Sequence, residues 1–403
     1  MSPTPQITER RLLFLVGAVQ AVNILDFMMV MPLGPDFAQA LGIPTAHIGW
    51  IGGSYTVAAA FSGILGAFFL DRFDRRTALV ASLVGLGLAT ALGGFATDMT
   101  TLMCARVLAG TFGGPATAVA LSIVSDCVPP ERRGRAMGAV MGAFSVAAVL
   151  GVPFALKLAT WGDWRSPFWA VGALCLAVAA FARLACPPLR GHLARGLPAI
   201  VNPLRVLSSP TARLSLSTTV TVFAASFAIV PNIAAYLQFN LGWPRADMDL
   251  LYGVGGLVTF FTMRGVGRLV DRFGATRIAW LGTCVLAGDL ALIFLQSTWA
   301  VPVLALFVAF MVGQSTRTVA LNALASRVPA PDERARFLSA QSAVQHIASS
   351  IGAFLSARLL TADADHRLIG MERVALIAIG LVLLQPPLMR LVEGRLNRRE
   401  VAS

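Results

Sequence analysis

Apolar residues run through this chain in blocks of about twenty, separated by short stretches where Arg, Asp, Gly and Pro collect. Six blocks lie near 12–33, 48–70, 77–97, 101–125, 135–158 and 166–186. The stretch Pro187–Pro210 then brings Pro, Arg and Gly without a sustained apolar run, as a linker does. Six further blocks follow near 212–238, 248–270, 276–296, 299–325, 335–360 and 371–392, and a basic tail carries Arg395, Arg398 and Arg399. A helix of about twenty residues is about 30 Å long, the thickness of a bilayer's hydrocarbon, whereas a barrel strand needs only about ten. With no water in the hydrocarbon, backbone groups must pair within the protein, and blocks of this length do so as helices. The pattern predicts an all-α membrane protein with twelve transmembrane helices. The expected division is a six-helix bundle over 1–186, a cytoplasmic linker over 187–211, and a second six-helix bundle with a short basic cytoplasmic tail over 212–403.

The two halves echo one another. Gly66-Ala-Phe-Phe-Leu-Asp71-Arg72-Phe73-Asp74-Arg75-Arg76 closes one apolar block, and Gly267-Arg-Leu-Val-Asp271-Arg272-Phe273-Gly274 closes another 200 positions later. Pro129-Pro-Glu-Arg-Arg133-Gly-Arg135 and Pro329-Ala-Pro-Asp-Glu-Arg334-Ala-Arg336 repeat at nearly the same offset. Two different basic loops at one spacing imply a duplicated half. An even number of spans per half makes the repeat parallel, so the two bundles are pseudo-symmetric.

Composition sharpens this. The chain is 56% hydrophobic and 13% charged, with a mean hydropathy of +0.73, against about 25% charged residues in a soluble domain. A net charge of +12 could suggest nucleic acid. Most of the arginines lie instead in alternate loops between apolar blocks, as in cytoplasmic loops of membrane proteins, and few (Arg165, Arg245, Arg367 and Arg373) lie in the others. That places both termini of a multi-pass protein in the cytoplasm, with lipid and no nucleic acid as its surroundings; the expected setting is a cytoplasmic (inner) membrane of the bacterial type. The first block is longer than a signal-peptide core and lacks a small-residue cleavage site, so it is expected to remain as a helix. Five cysteines are scattered without disulfide or metal spacing.

Three motifs carry a family resemblance. Gly267-x-x-x-Asp271-Arg272-x-Gly274 resembles the loop signature of the major facilitator superfamily; the first copy has Ala67 and Asp74 where the family has glycines. Leu102-x-x-x-Arg106-x-x-x-Gly110 is similar to the superfamily's buried-arginine motif. Gly142 with Gly151-Val152-Pro153 resembles the helix-5 motif of exporters, with Val152 inserted. Together with Trp164-Arg165 and Phe168-Trp169, these resemble the twelve-helix drug:proton antiporters, especially their sugar and nucleoside efflux branch. The resemblance implies the major facilitator fold, alternating access, and a role in proton coupling for the helix-4 arginine.

Ionised groups in hydrocarbon are costly and usually face a partner or a cavity. Asp26 lies about 9 Å, at 1.5 Å per residue, from the outer end of the first helix, and Arg106 lies at a similar depth in the fourth. The two are expected to pair. The pair is either a proton-coupling switch that opens during transport or a permanent bond between two helices. Asp71 and Asp271, with Arg72, Arg75, Arg272, Arg135 and Arg336, are candidates for a gating latch in which the aspartates cap helix N-termini; the alternative is a solvated loop that sets topology. Gln20, Asn23, Tyr55, Asn232, Tyr236, Arg317, Gln341, Gln345 and His346 are polar residues in predicted spans and are candidates for the substrate cavity. His346 is either a proton relay or a satisfied core histidine, and Asp289 either couples protons or ties helices together. Near Gly151 and Pro153 the fifth helix can hinge, because proline removes a backbone hydrogen bond.

The chain lacks a nucleotide-binding loop of the Gly-x4-Gly-Lys form and has a single lysine, Lys157, so ATP is not expected to drive it. With no catalytic constellation or metal motif, the expected activity is secondary transport without a cofactor, driven by a proton gradient. The reading is a monomeric exporter of small organic molecules. A proton-coupled uptake symporter and a transport-dead sensor are the alternatives.

Overall fold

The computed structural model describes residues 9–129, 142–190, 209–296, 301–329 and 334–402, with 132, 136 and 140. Twelve long helices account for nearly all of them. We label these α1 (Glu9–Met29), α2 (Ile48–Phe69), α3 (Arg75–Gly93), α4 (Met99–Cys127), α5 (Gly142–Trp161) and α6 (Ser166–Ala185), then α7 (Pro210–Ala235), α8 (Met248–Phe273), α9 (Ala275–Leu295), α10 (Val303–Ala325), α11 (Arg334–Leu359) and α12 (Met371–Ala402). Among the described residues, eleven are long and apolar enough to cross a membrane. The exception is α11, whose Gln341, Gln345 and His346 dilute its apolar content. Large apolar side chains such as Phe14, Phe61, Phe261 and Leu391 point outward, as a protein solvated by lipid requires.

Three features depart from the expected pattern. A short helix, Gly34–Ala40, follows α1, and two-residue strands β1 (Thr361–Ala362) and β2 (Leu368–Ile369) form a small antiparallel hairpin before α12. The expected basic tail is helical: α12 continues to Ala402, because Glu393, Arg395 and Arg398 are good helix formers that extend it. Most of the expected linker, 191–208, lies outside the described residues.

Contacts divide the chain into two compact units, Met1–Ile43 with Ser54–Ile200 and Pro44–Gly53 with Val201–Ser403. In the first, α3 packs on α4 and α6, and α1 packs on α4, α5 and α6. Glycines set the approach of α2 to α4: a Cβ on Gly110 would strike the Tyr55 carbonyl, and one on Gly114 would strike that of Ala59. In the second unit, α7 packs on α11 and α12, and α9 on α10 and α12. Its core includes Leu216, Val270, Ile278, Leu324, Phe337 and Met389. The same unit holds Trp50 stacked on Phe354 at 4.8 Å and Thr45 Oγ1 donating to the His366 carbonyl at 2.9 Å.

The repeated loops reach the same end by different chemistry. Gly274 turns the chain between α8 and α9 with φ 88° and ψ 149°, a region essentially closed to other residues. At the matching place Asp74 keeps φ −53° and caps α3, its carboxylate accepting from Thr77 N–H at 3.0 Å. An N-cap aspartate satisfies one of the helix's four unpaired N–H groups.

Candidate functional site

The interior of the first unit holds one connected polar network. Arg106 on α4 is 1% exposed and Asp26 on α1 is fully buried. The guanidinium donates from Nη1 to Asp26 Oδ1 at 2.9 Å and from Nη2 to Oδ2 at 3.0 Å. Parallel bonds of this kind fix orientation as well as charge. Arg106 Nη2 also reaches the Asp26 carbonyl at 3.4 Å, while Nε finds no acceptor among the described residues.

Two further helices complete the surroundings. Tyr55 on α2 lays its ring under the guanidinium, 4.7 Å from the centroid, a favourable cation–π placement. Its hydroxyl donates to Asn23 Oδ1 at 2.9 Å, and Asn23 Nδ2 donates to the Gly113 carbonyl at 2.8 Å and to Thr117 Oγ1 at 2.5 Å. Gly113 is required here, since a Cβ would collide with the Tyr55 hydroxyl. Thr90 on α3 places its single hydroxyl hydrogen between two acceptors, Asp26 Oδ1 at 2.7 Å and the Leu86 carbonyl at 2.8 Å. It can donate to only one at a time.

Of the candidate residues, the structure therefore gathers Asn23, Asp26, Tyr55 and Arg106 into one network. Gln20 lies buried on α1 with Oε1 unpartnered among the described residues. Thr90 and Thr117 are participants that sequence reasoning missed, because a threonine in an apolar helix most often bonds its own backbone and carries no signal. The helix-5 residues lie beside α1. A π-helical turn, Ala147–Gly151, precedes Pro153, and a Cβ on Gly151 would meet the Leu25 side chain; Gly142 faces open space. Such π-bulges are often found at functional sites.

In the second unit the candidates stay in separate groups. Asn232 Nδ2 donates to Ser356 Oγ at 2.9 Å, Tyr236 donates to the Ile293 carbonyl at 3.3 Å, and Gln341 Nε2 donates to Asn322 Oδ1 at 3.4 Å. Gln345 and His346 are half-buried on α11. Fully buried Arg317 donates from Nε to Gln385 Oε1 at 2.6 Å and from Nη1 to Gln314 Oε1 at 3.2 Å. Gln385, also missed from the sequence, returns a bond from Nε2 to the Arg317 carbonyl at 3.1 Å.

Of the latch candidates, Arg75 is buried and bonds Asp126 at the C-terminal end of α4 at 3.2 Å, and its backbone N–H donates to the Leu189 carbonyl at 3.2 Å. Arg76 donates to the Cys186 carbonyl at 3.2 Å, and Arg190 lies 3.5 Å from Asp74. These contacts tie the loop after α2 to α4 and to the chain beyond α6. Arg72, Asp271 and Arg272 are exposed, with Arg272 over the Phe273 ring. The side chains of Asp71 and Arg336, and all of Arg135, lie outside the described residues. Among the described residues no group of His, Cys, Asp and Glu could hold a metal ion.

Comparison with known proteins agrees with this architecture. A family model described as Major Facilitator Superfamily matches residues 16–353. The chain is 30% identical to a chloramphenicol resistance protein of Streptomyces lividans over 303 residues, 75% of this chain and 76% of that one. It is 28% identical over 263 residues to a chloramphenicol efflux pump of Mycobacterium tuberculosis, covering 63% and 62% of the two chains. Among solved structures, an inward-facing bacterial homolog of the human lysosomal transporter Spinster aligns with a TM-score of 0.74 at 15% identity, over 96% of this chain and 98% of that one. The human organic anion transporter MFSD10 aligns at 0.70 and 17% identity, over 95% and 100%. At these identities the structures speak for the fold alone.

Proposed function

Because this chain belongs to the Major Facilitator Superfamily, a family of membrane transporters rather than enzymes, we propose that it exports small organic molecules in exchange for protons. The observation that carries this reading is the buried Asp26–Arg106 pair, bidentate and enclosed by four helices. The relatives named for chloramphenicol make amphenicol-like drugs the first cargo to test.

The chemistry follows from the network. While Asp26 is ionised, Arg106 neutralises it and Thr90 donates to Oδ1. If cargo or a helix movement draws Arg106 away, the carboxylate loses its counter-charge and a proton takes the place of the guanidinium. Protonated Asp26 then needs an acceptor, and Thr90 Oγ1 supplies one once its own hydrogen turns to the Leu86 carbonyl. One hydroxyl thus serves both states of the acid, donating to it when it is ionised and accepting from it when it is protonated. Tyr55, anchored by Asn23, keeps a ring against the guanidinium. The setting is a bacterial inner membrane with both termini in the cytoplasm and a single chain as the working unit, with the exposed charges near Asp271 acting as part of a cytoplasmic latch.

The test is proton movement by purified protein in liposomes when chloramphenicol, puromycin, a sugar or a nucleoside is added, comparing wild type with Asp26→Asn. Cargo-driven proton flux that disappears in the variant supports the reading. Flux unchanged in Asp26→Asn would leave the pair as a bond between helices only.

A further inference from the structure

The second unit contains two buried opposite charges that do not touch. Asp289 on α9 is 4% exposed, and neither of its carboxylate oxygens has a hydrogen-bond partner among the described residues. Arg317 on the adjacent α10 is fully buried, and among the described residues its guanidinium bonds only the amide oxygens of Gln385 and Gln314, with Nη2 unpartnered. A buried carboxylate without a donor and a buried guanidinium with an unfilled N–H each carry a desolvation cost.

The register of the two helices sets the charges on one seam. A Cβ on Gly282 would meet Arg317 Cγ, and one on Gly313 would meet Leu286 Cβ. The helices are therefore antiparallel, with 282 level with 317 and 286 level with 313. Asp289 is two helical turns beyond Gly282 on the same face. Side chains lean toward the N-terminus of their own helix. On antiparallel neighbours Arg317 and Asp289 therefore lean toward one another, and the Arg317 bond to Gln314 shows that lean. The offset is about 10 Å between Cα levels at 1.5 Å per residue, which a long arginine side chain and a carboxylate together nearly span.

We propose that Asp289 is the counter-charge of Arg317: the two close into an ion pair in another state of the transporter, and Gln385 holds Arg317 away from it in this one. Gln385 suits that role because it grips both the guanidinium and the backbone of Arg317, from α12. The first unit keeps its charges paired at Asp26–Arg106, whereas the second keeps its charges parted. The proposal depends neither on the cargo nor on proton coupling at Asp26.

Carbodiimide coupling of the full chain tests it. In Arg317→Lys/Lys157→Arg the only side-chain amine is at position 317. A membrane-permeant carbodiimide joins a carboxyl to an amine only where they meet, releasing the urea. Mass spectrometry is expected to find an amide between residues 289 and 317, increased when Gln385→Leu is added. An acylurea on Asp289 without that amide would overturn the proposal. Melting of Asp289→Asn, Arg317→Gln and the double variant in nanodiscs gives a second answer that needs no reagent access. Losses in the double variant smaller than the two single losses combined are expected, and strictly additive losses would count against contact.

Discussion

Arg106 and Asp26 meet through two parallel hydrogen bonds of 2.9 and 3.0 Å, and neither residue reaches the surface. Removing one member of such a pair leaves the other as an uncompensated buried charge, which costs about 3–5 kcal/mol, whereas replacing both with apolar residues is often neutral. Arg106→Leu should therefore lower the melting temperature in detergent more than Asp26→Leu/Arg106→Leu does. Export should be lost in both. A double variant that melts below the single one would mean that the pair contributes net stability and is not held for its function.

Thr90 yields a second prediction. Thr90→Val keeps the shape of the side chain but removes the group that donates to ionised Asp26 and accepts from its protonated form. Leaving a buried acid short of a partner costs about 1–3 kcal/mol, or roughly one to two orders of magnitude in an equilibrium or rate. Proton-coupled export should fall by at least tenfold in Thr90→Val and recover in Thr90→Ser, measured as cargo efflux from liposomes. Equal export in all three proteins would remove Thr90 from the mechanism.

How much of this was legible beforehand differs from residue to residue. The Asp26–Arg106 contact could be anticipated because helix rise converts sequence position into depth, and two charges at one depth have few other solutions in hydrocarbon. The roles of Asn23 and Tyr55 were not separable from those of Asn232 and Tyr236. Polarity within a span shows that a side chain needs a partner without showing which. The partners turned out to depend on Gly110 and Gly113, whose bare backbones decide how closely α2 approaches α4. The short helix after α1 and the 361–369 hairpin escaped for another reason: they are brief, and neither apolar period extends long enough to register.

The tyrosine can be dissected. Tyr55→Phe retains the ring beneath Arg106 and deletes only the bond to Asn23, whose amide keeps its Gly113 and Thr117 contacts. The loss should be about 1 kcal/mol. Tyr55→Ala also removes the buried ring, for about 3–5 kcal/mol as with other large aromatic truncations. Thermal melting should rank wild type, Tyr55→Phe and Tyr55→Ala in that order, with a much wider second gap.

Cys186 offers a check on the loop that follows α6. It is 2% exposed, and burial, with the neighbouring Cys127 adding to it, pushes its thiol up to about 11. The thiolate is the reactive form, so maleimide at pH 7.5 should leave Cys186 unlabelled in the folded protein. Arg76→Ala removes the donor to the Cys186 carbonyl, and labelling at Cys186 should then rise. Rapid labelling of the wild type would show that the contact between the α2–α3 loop and this segment is not kept in solution.

The start of α4 supplies a pH dependence whose sign is fixed. Asp98 caps the helix, accepting from Thr101 N–H at 2.9 Å, while Thr101 Oγ1 accepts from Asp98 N–H at 3.1 Å. These bonds favour the ionised form, with the Thr101 backbone contact the largest influence, and hold the carboxyl below the usual carboxylate range. Because the folded value lies below the unfolded one, near 3.9, the stabilisation is complete above the unfolded value. It is lost as pH falls through the folded value. Asparagine also caps helices but does not titrate. The difference in melting temperature between wild type and Asp98→Asn should therefore be flat from pH 7 to about 5 and turn against the wild type below about 4. A difference that moves in the wild type's favour on acidification would contradict the cap as the source of the depressed value.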